Sequence, residues 1–117
     1  MFQTVTRKLI MVGGTVPTLE YSRGIALEDY NAAGFEFWVI SAKAVIDLIT
    51  VGLQGSNDLT NWHDLGATAT TTIAPDHRAL SPSAIIPWRF VRLMYSVEST
   101  ANARVILAAG IELSHRG

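Results

Sequence analysis

Apolar and polar residues alternate with a period of two through most of the second half of the chain. From residue 104 to residue 114 the odd positions are Val105, Leu107, Ala109, Ile111 and Leu113, and the even ones include Arg104, Glu112 and Ser114. That spacing buries one face of a β-strand and leaves the other polar. Ile106 is the residue that breaks the pattern. Residues 89–97 repeat it, with Val91, Leu93, Tyr95 and Val97 on one side and Arg92 and Ser96 on the other. The polar stretch 98–102, ESTAN, has the length of a hairpin connection, so the pattern predicts one hairpin over 89–113.

Upstream, residues 35–41 (FEFWVIS) are aromatic and β-branched, and residues 46–54 set Ile49, Val51 and Leu53 against Thr50, Gly52 and Gln54. Both read as strands, joined near residues 42–44. The Thr-rich stretch 67–73 has only a weak apolar side and reads as an edge strand, and residues 4–12 read as a further strand. Gly13 and Gly14, Pro17, Gly24, residues 31–34, residues 55–61, Pro75 and Asp76, Pro82 and Pro87 punctuate the chain at short intervals. No segment combines a 3.6-residue stripe with helix caps. Seven or eight strands with such turns predict an all-β fold, an antiparallel β-sandwich or jelly roll, with an open barrel as the alternative.

Composition changes the picture in one respect. Only 16% of the 117 residues are charged against about 25% in an average domain, while 49% are hydrophobic. Seven of the nine cations are Arg, the cation enriched at interfaces. A chain with so little charge is expected to live in an assembly, with Arg7, Lys8, Arg89 and Arg92 as candidate interface residues. Its length suits one domain: residues 1–12 as an N-terminal arm or edge strand to be lent to a neighbour, and 13–117 as a single sandwich. A formal charge of -1 argues against binding nucleic acid or an anionic membrane by bulk charge. The opening residues lack a signal-peptide pattern, no apolar run approaches the ~18 residues of a membrane-spanning helix, and there is no cysteine.

Enzymatic patterns are missing. There is no Gly-x-Ser-x-Gly elbow and no phosphate-cradling glycine loop, and His63, His77 and His115 occur singly, as loop or tail histidines. The richest stretch is 54–65, QGSNDLTNWHDL. Asn57, Asp58, Asn61 and Asp64 offer hard oxygen ligands for a Ca²⁺ or ligand loop, and Asp58 with Asp64 is a carboxylate pair in reach of acid–base work. The spacing fits no calcium loop, and Asx side chains beside Gly and Ser close turns on their own backbone. The reading is therefore structural: Gly55, Ser56, Asn57, Asp58, Asn61 and Trp62 form a hairpin anchored by Trp62, with no metal and no cofactor.

A strand followed by Gly55, Ser56, Asn57 and Asp58, then Asn61, Trp62 and Leu65, resembles the hairpin of discoidin-like and related jelly-roll modules. It is more similar still to small virion proteins of tailed bacteriophages built on that theme. Trp88, Arg89, Phe90, Val91, Arg92 and Leu93 resemble the strand that follows in those proteins, and residues 104–113 the closing strand; with residues 30–40 upstream the likeness covers about 30–113. Leu59 stands where a glycine usually follows the Asp. The short chain and the lack of the discoidin disulfide cysteines favour the virion type. The resemblance implies a non-enzymatic capsid decoration (cement) protein, or another head or tail protein. It would be assembled in the bacterial cytoplasm into the virion, contact capsid or other virion proteins, and self-associate, a trimer being favoured. The alternative is a carbohydrate-binding module with a glycan partner, for which Trp38, Trp62 and Trp88 are the candidate aromatics, although the settings of Trp38 and Trp88 point to core or interface.

Overall fold

A computed structural model describes residues 2–12, 18–43, 47–72, 75–80, 86–99 and 103–115, with residues 2–12, 43 and 103 described by backbone pairing alone. The strands are β1 (Phe2–Val12), β2 (Thr18–Tyr21), β3 (Ile25–Ala26), β4 (Ala32–Lys43), β5 (Leu48–Ser56), β6 (His63–Thr71), β7 (Asp76–Leu80), β8 (Phe90–Glu98) and β9 (Ala103–Ser114). They form two antiparallel sheets, a β-sandwich. Sheet A has the order β1-β9-β4-β7 and sheet B the order β2-β8-β5-β6, with the short β3 also pairing β8.

The period-two pattern sets the layers. Phe35, Phe37 and Val39 on β4 and Val105, Leu107, Ala109, Ile111 and Leu113 on β9 are buried, and they share one core with Ile49, Val51 and Leu53 of β5 and Val91, Leu93, Tyr95 and Val97 of β8. The residues between them face outward. Ile106, which interrupts the sequence pattern, is one of these and is 39% exposed. Residues 67–71 belong to β6, which forms an edge of sheet B, and β1 is an edge of sheet A. β1 pairs within its own chain, with partners on β9 from Glu112 to Ala103. In a single chain it is an edge strand.

The hairpin expected over 89–113 does not form. β8 lies in sheet B and β9 in sheet A, so residue 99 onward carries the chain across the sandwich. Two strands with one apolar face each can bury those faces by stacking as well as by pairing, and sheets stack only about 10 Å apart. Five residues reach that far. Ser99, at the start of the crossing, is buried. β6 and β7 are joined by a similar crossing, closed by a short hydrogen bond from the Thr71 hydroxyl to the Asp76 carboxylate. That bond, a backbone N–H from His77 and the Arg78 guanidinium hold the Asp76 carboxyl below the usual carboxylate range. Among the described strands, β5 and β6 are the one consecutive pair that bond to each other.

Candidate functional site

The hairpin of β5 and β6 carries the QGSND segment, and its tip is closed by its own side chains. The Ser56 hydroxyl is buried, accepts from the N–H groups of Asp58 (3.2 Å) and Leu59 (3.0 Å), and donates to Asp58 Oδ1 (3.0 Å). Asp58 Oδ1 also accepts from the N–H groups of Asn61 (2.8 Å) and Thr60 (2.9 Å), while its Oδ2 takes the Asn61 side-chain amide at 2.8 Å. The backbone donors of Asn61 and Thr60, then the Asn61 and Ser56 side chains, hold the Asp58 carboxyl far below the ordinary carboxylate range. Its acceptor sites are taken up by the turn. Leu59 sits at φ 63°, the left-handed conformation that favours glycine. Asn57 Oδ1 accepts from the backbone N–H of Arg89 at 3.0 Å, tying the tip to the start of β8. At Gly55 a Cβ would lie 2.4 Å from Trp88, whose ring stacks on His63 at 4.6 Å, so only glycine lets that indole close over the strand.

Asp64 is not part of this turn. It accepts from Gln54 Nε2 at 2.8 Å, away from Asp58, and no group of three His, Asp or Glu side chains suited to a metal occurs among the described residues. The histidines are exposed, but His63 and His77 lie on strands rather than in loops: His77 pairs with Glu36 at 2.9 Å and stacks on Trp38 at 4.8 Å.

The outer face of sheet B gathers a second group of side chains next to the hairpin. Gln54 and Arg92 are register partners on β5 and β8, and Arg92 Nε donates to Gln54 Oε1 at 2.8 Å. The Arg92 guanidinium carbon lies 4.0 Å from the ring centre of Tyr21 and 4.3 Å from that of Trp62. Partial burial lowers its pKa from the usual arginine range. Trp62 is half-buried rather than a core anchor; its indole N–H donates to the Leu59 carbonyl at 3.2 Å and its ring lies over Gly24, where a Cβ would come within 3.2 Å of it. Tyr21, 42% exposed, completes the cluster from β2. Sequence reasoning picked Arg92 and Trp62 but missed Tyr21, Gln54 and Asp64 as their companions. The shared parity of positions 54 and 92 was a usable signal; the short strand carrying Tyr21 gave none.

The outer face of sheet A is different in kind. Trp38, expected in core or interface, has the opposite parity to Phe37 and Val39 and is 36% exposed, with Ile40 at 50% and Ile106 at 39%. Alongside, Ala108 pairs with Trp38 and Gly110 with Glu36, leaving a low surface between strands. The four candidate interface cations stand on different sheets. Arg7 and Lys8 are on β1 of sheet A opposite Ala108 and Leu107, whereas Arg92 lies on sheet B and Arg89 just before β8.

At one end of the sandwich a cleft of about 490 Å³ is lined by Leu27, Glu28, Tyr30, Trp88, Arg89 and Phe90. Glu28, at φ 52°, stands in a turn closed by the Tyr30 N–H bonding the Leu27 carbonyl at 2.8 Å.

No protein-family model and no curated protein sequence matches the chain. Among solved structures, a carbohydrate-binding module, TmCBM61, studied in complex with β-1,4-galactotriose, superposes with a TM-score of 0.54 at 10% sequence identity, covering 97% of this chain and 88% of that one. At so low an identity the likeness is one of architecture, and it agrees with the two-sheet antiparallel sandwich derived from the residues.

Proposed function

We propose that this chain is a non-enzymatic structural subunit of a tailed-bacteriophage particle, a capsid decoration protein or another head or tail component that self-associates, as a trimer by preference. The observation that carries the reading is the exposed apolar strip of Trp38, Ile40 and Ile106 on the outer face of sheet A, in a chain with only 16% charged residues. Such a face is costly to leave in water and suited to dry packing against protein. The sequence resemblance of the QGSND hairpin to small phage virion proteins supports the same reading. So does the hairpin's chemistry, because its carboxylate is spent on its own turn and leaves no acid–base pair.

The test is light scattering together with co-sedimentation on particles assembled without the protein. The wild-type chain is expected to form a defined oligomer and to sediment with the particles, and the doubly substituted Ile40→Asp, Ile106→Asp protein to remain folded but monomeric and unbound. A wild-type chain that stays monomeric and fails to sediment overturns the proposal.

A second reading, a carbohydrate-binding module, is favoured by the Tyr21, Arg92 and Trp62 cluster and by the architecture shared with TmCBM61, a protein studied with a bound galactotriose. The two readings use opposite faces of the sandwich and are compatible in one protein.

A further inference from the structure

We infer that the outer face of sheet B carries a binding site for a neutral saccharide, formed by Tyr21, Trp62 and Arg92 with Gln54 and Asp64; the inference rests on the carbohydrate-binding reading and gives it a location and a ligand class. Three features of the cluster converge on that ligand.

The first is that the cation is fixed before any ligand arrives. Arg92 lies against two rings at 4.0 and 4.3 Å, and its Nε is held by Gln54. Gln54 in turn is oriented by giving its own amide N–H to Asp64 at 2.8 Å. Trp62 is pinned by its bond to the Leu59 carbonyl and by the glycine beneath it. A site whose side chains are already ordered loses less entropy on binding than one built from free arginines.

The second is the balance of unused hydrogen-bonding groups. Arg92 uses only its Nε in the bond to Gln54 and forms no ion pair among the described residues, so its two terminal amino groups remain as donors. Asp64 spends one oxygen on Gln54 and keeps the other as an acceptor. A ligand that meets both must accept from the guanidinium and donate to the carboxylate, as paired hydroxyl groups do. An acidic ligand would gain from Arg92 but bring a second negative charge towards Asp64. Neutral hydroxylated ligands meet neither penalty.

The third is the apolar surface. Tyr21 is 42% exposed and Leu59, next to Gly24 and Trp62, is 51% exposed. Aromatic rings beside fixed polar groups suit the C–H faces of a pyranose, which combines an apolar face with a polar rim. Sheet A offers apolar area without this polar chain.

The test is calorimetric titration of the whole chain with galactotriose, cellotriose, maltotriose and chitotriose as neutral probes and trigalacturonate as the acidic one. The expected result is binding of at least one neutral probe, with a change in tryptophan emission. Kd is expected to rise about tenfold or more in both Arg92→Ala and Tyr21→Ala, and severalfold in Asp64→Asn. Ile40→Asp, on the opposite sheet, is expected to bind as the wild type does. Tyr21→Ala is informative even if Arg92→Ala folds poorly, because Tyr21 is at a sheet edge and bonds to no part of the hairpin; melting curves accompany each variant. Binding that is unchanged in folded Arg92→Ala and Tyr21→Ala overturns the location while leaving the carbohydrate reading standing. Binding of trigalacturonate alone overturns the neutral class. No binding by any probe overturns both the site and the carbohydrate reading.

Discussion

The two outer faces of this sandwich differ far more than its two inner faces do. Inside, sheets A and B contribute the same kind of surface, branched and aromatic side chains from alternate positions meeting in one core. Outside, sheet A shows Trp38, Ile40 and Ile106 beside the small Ala108 and Gly110, while sheet B carries a chain of hydrogen bonds from Asp64 through Gln54 to an arginine held between two rings. The pleat is the same in both; what differs is what the outward residues join. On sheet A the Glu36–His77 pair leaves Trp38, Ile40 and Ile106 as exposed apolar surface, whereas on sheet B the polar chain runs into the aromatic cluster. Exposed apolar surface gains most from a dry protein partner, and pre-set donors and acceptors beside aromatic rings gain most from a hydroxylated ligand. The fold is thus fixed by the shared inner pattern and leaves the outer patterns free for separate tasks.

The largest expected effect tests the equivalence of the inner faces. Phe37→Ala in sheet A and Leu93→Ala in sheet B both truncate fully buried side chains and should each destabilise by about 3–5 kcal/mol in denaturant unfolding. A cost below about 1 kcal/mol at either would mean that its sheet does not pack in the common core.

The next is a contrast between the outer faces. Trp62→Ala removes a half-buried ring with a hydrogen bond and a cation contact, and should cost about 1–2 kcal/mol. Trp38→Ala removes a ring stacked on His77 and should cost about 0.5–1.5 kcal/mol. A larger cost for Trp38→Ala than for Trp62→Ala would reverse the picture of sheet B as the more tightly bonded surface.

Acid titration bears on the connections rather than the faces. The carboxyls of Asp58 and Asp76 are both held below the ordinary range in the folded state, the first by backbone donors of its turn and the second by Thr71. A depressed folded pKa contributes stability that is present above the unfolded value, about pH 4, and is lost as pH falls below it. The melting temperature should therefore hold steady from pH 7 to about 5 and decline below 4, less steeply in Asp58→Ala. The smallest expected effect concerns calcium: because Asp58 is saturated by its own loop, adding calcium or EDTA should leave the melting temperature unchanged, and a rise of several degrees would assign the hairpin a metal.

The legible part of this fold was the parity of its strands. Positions 91 to 97 and 105 to 113 read correctly as buried, and even the misfit Ile106 marked a real feature, the exposed strip of sheet A. Pairing was less legible, because a period of two says which residues point inward but not whether the next strand lies beside or across the core. The 98–102 connection is long enough for either, and it crosses. The hairpin at 55–62 was readable because Asx and Ser side chains act over two or three residues. Its neighbours in the arginine cluster were not. Tyr21 and Trp62 meet over Arg92 from segments about forty and thirty residues apart in sequence, on strands whose register is set only once the sheet exists.

The pairing of β1 with β9 also sets an order of events during synthesis. Val12 bonds opposite Ala103, so residues 13–102 must leave the ribosome before the first strand can meet its partner. At elongation rates of about 5–20 residues per second that interval lasts several seconds, during which an eleven-residue strand waits with both of its backbone edges open. Strand β9 is also the centre of its sheet, standing between β1 and β4. Loss of residues 103–114 would leave β1 without its partner and β4 paired with β7 alone, so a chain lacking them should be found in inclusion bodies and not as a shortened sandwich.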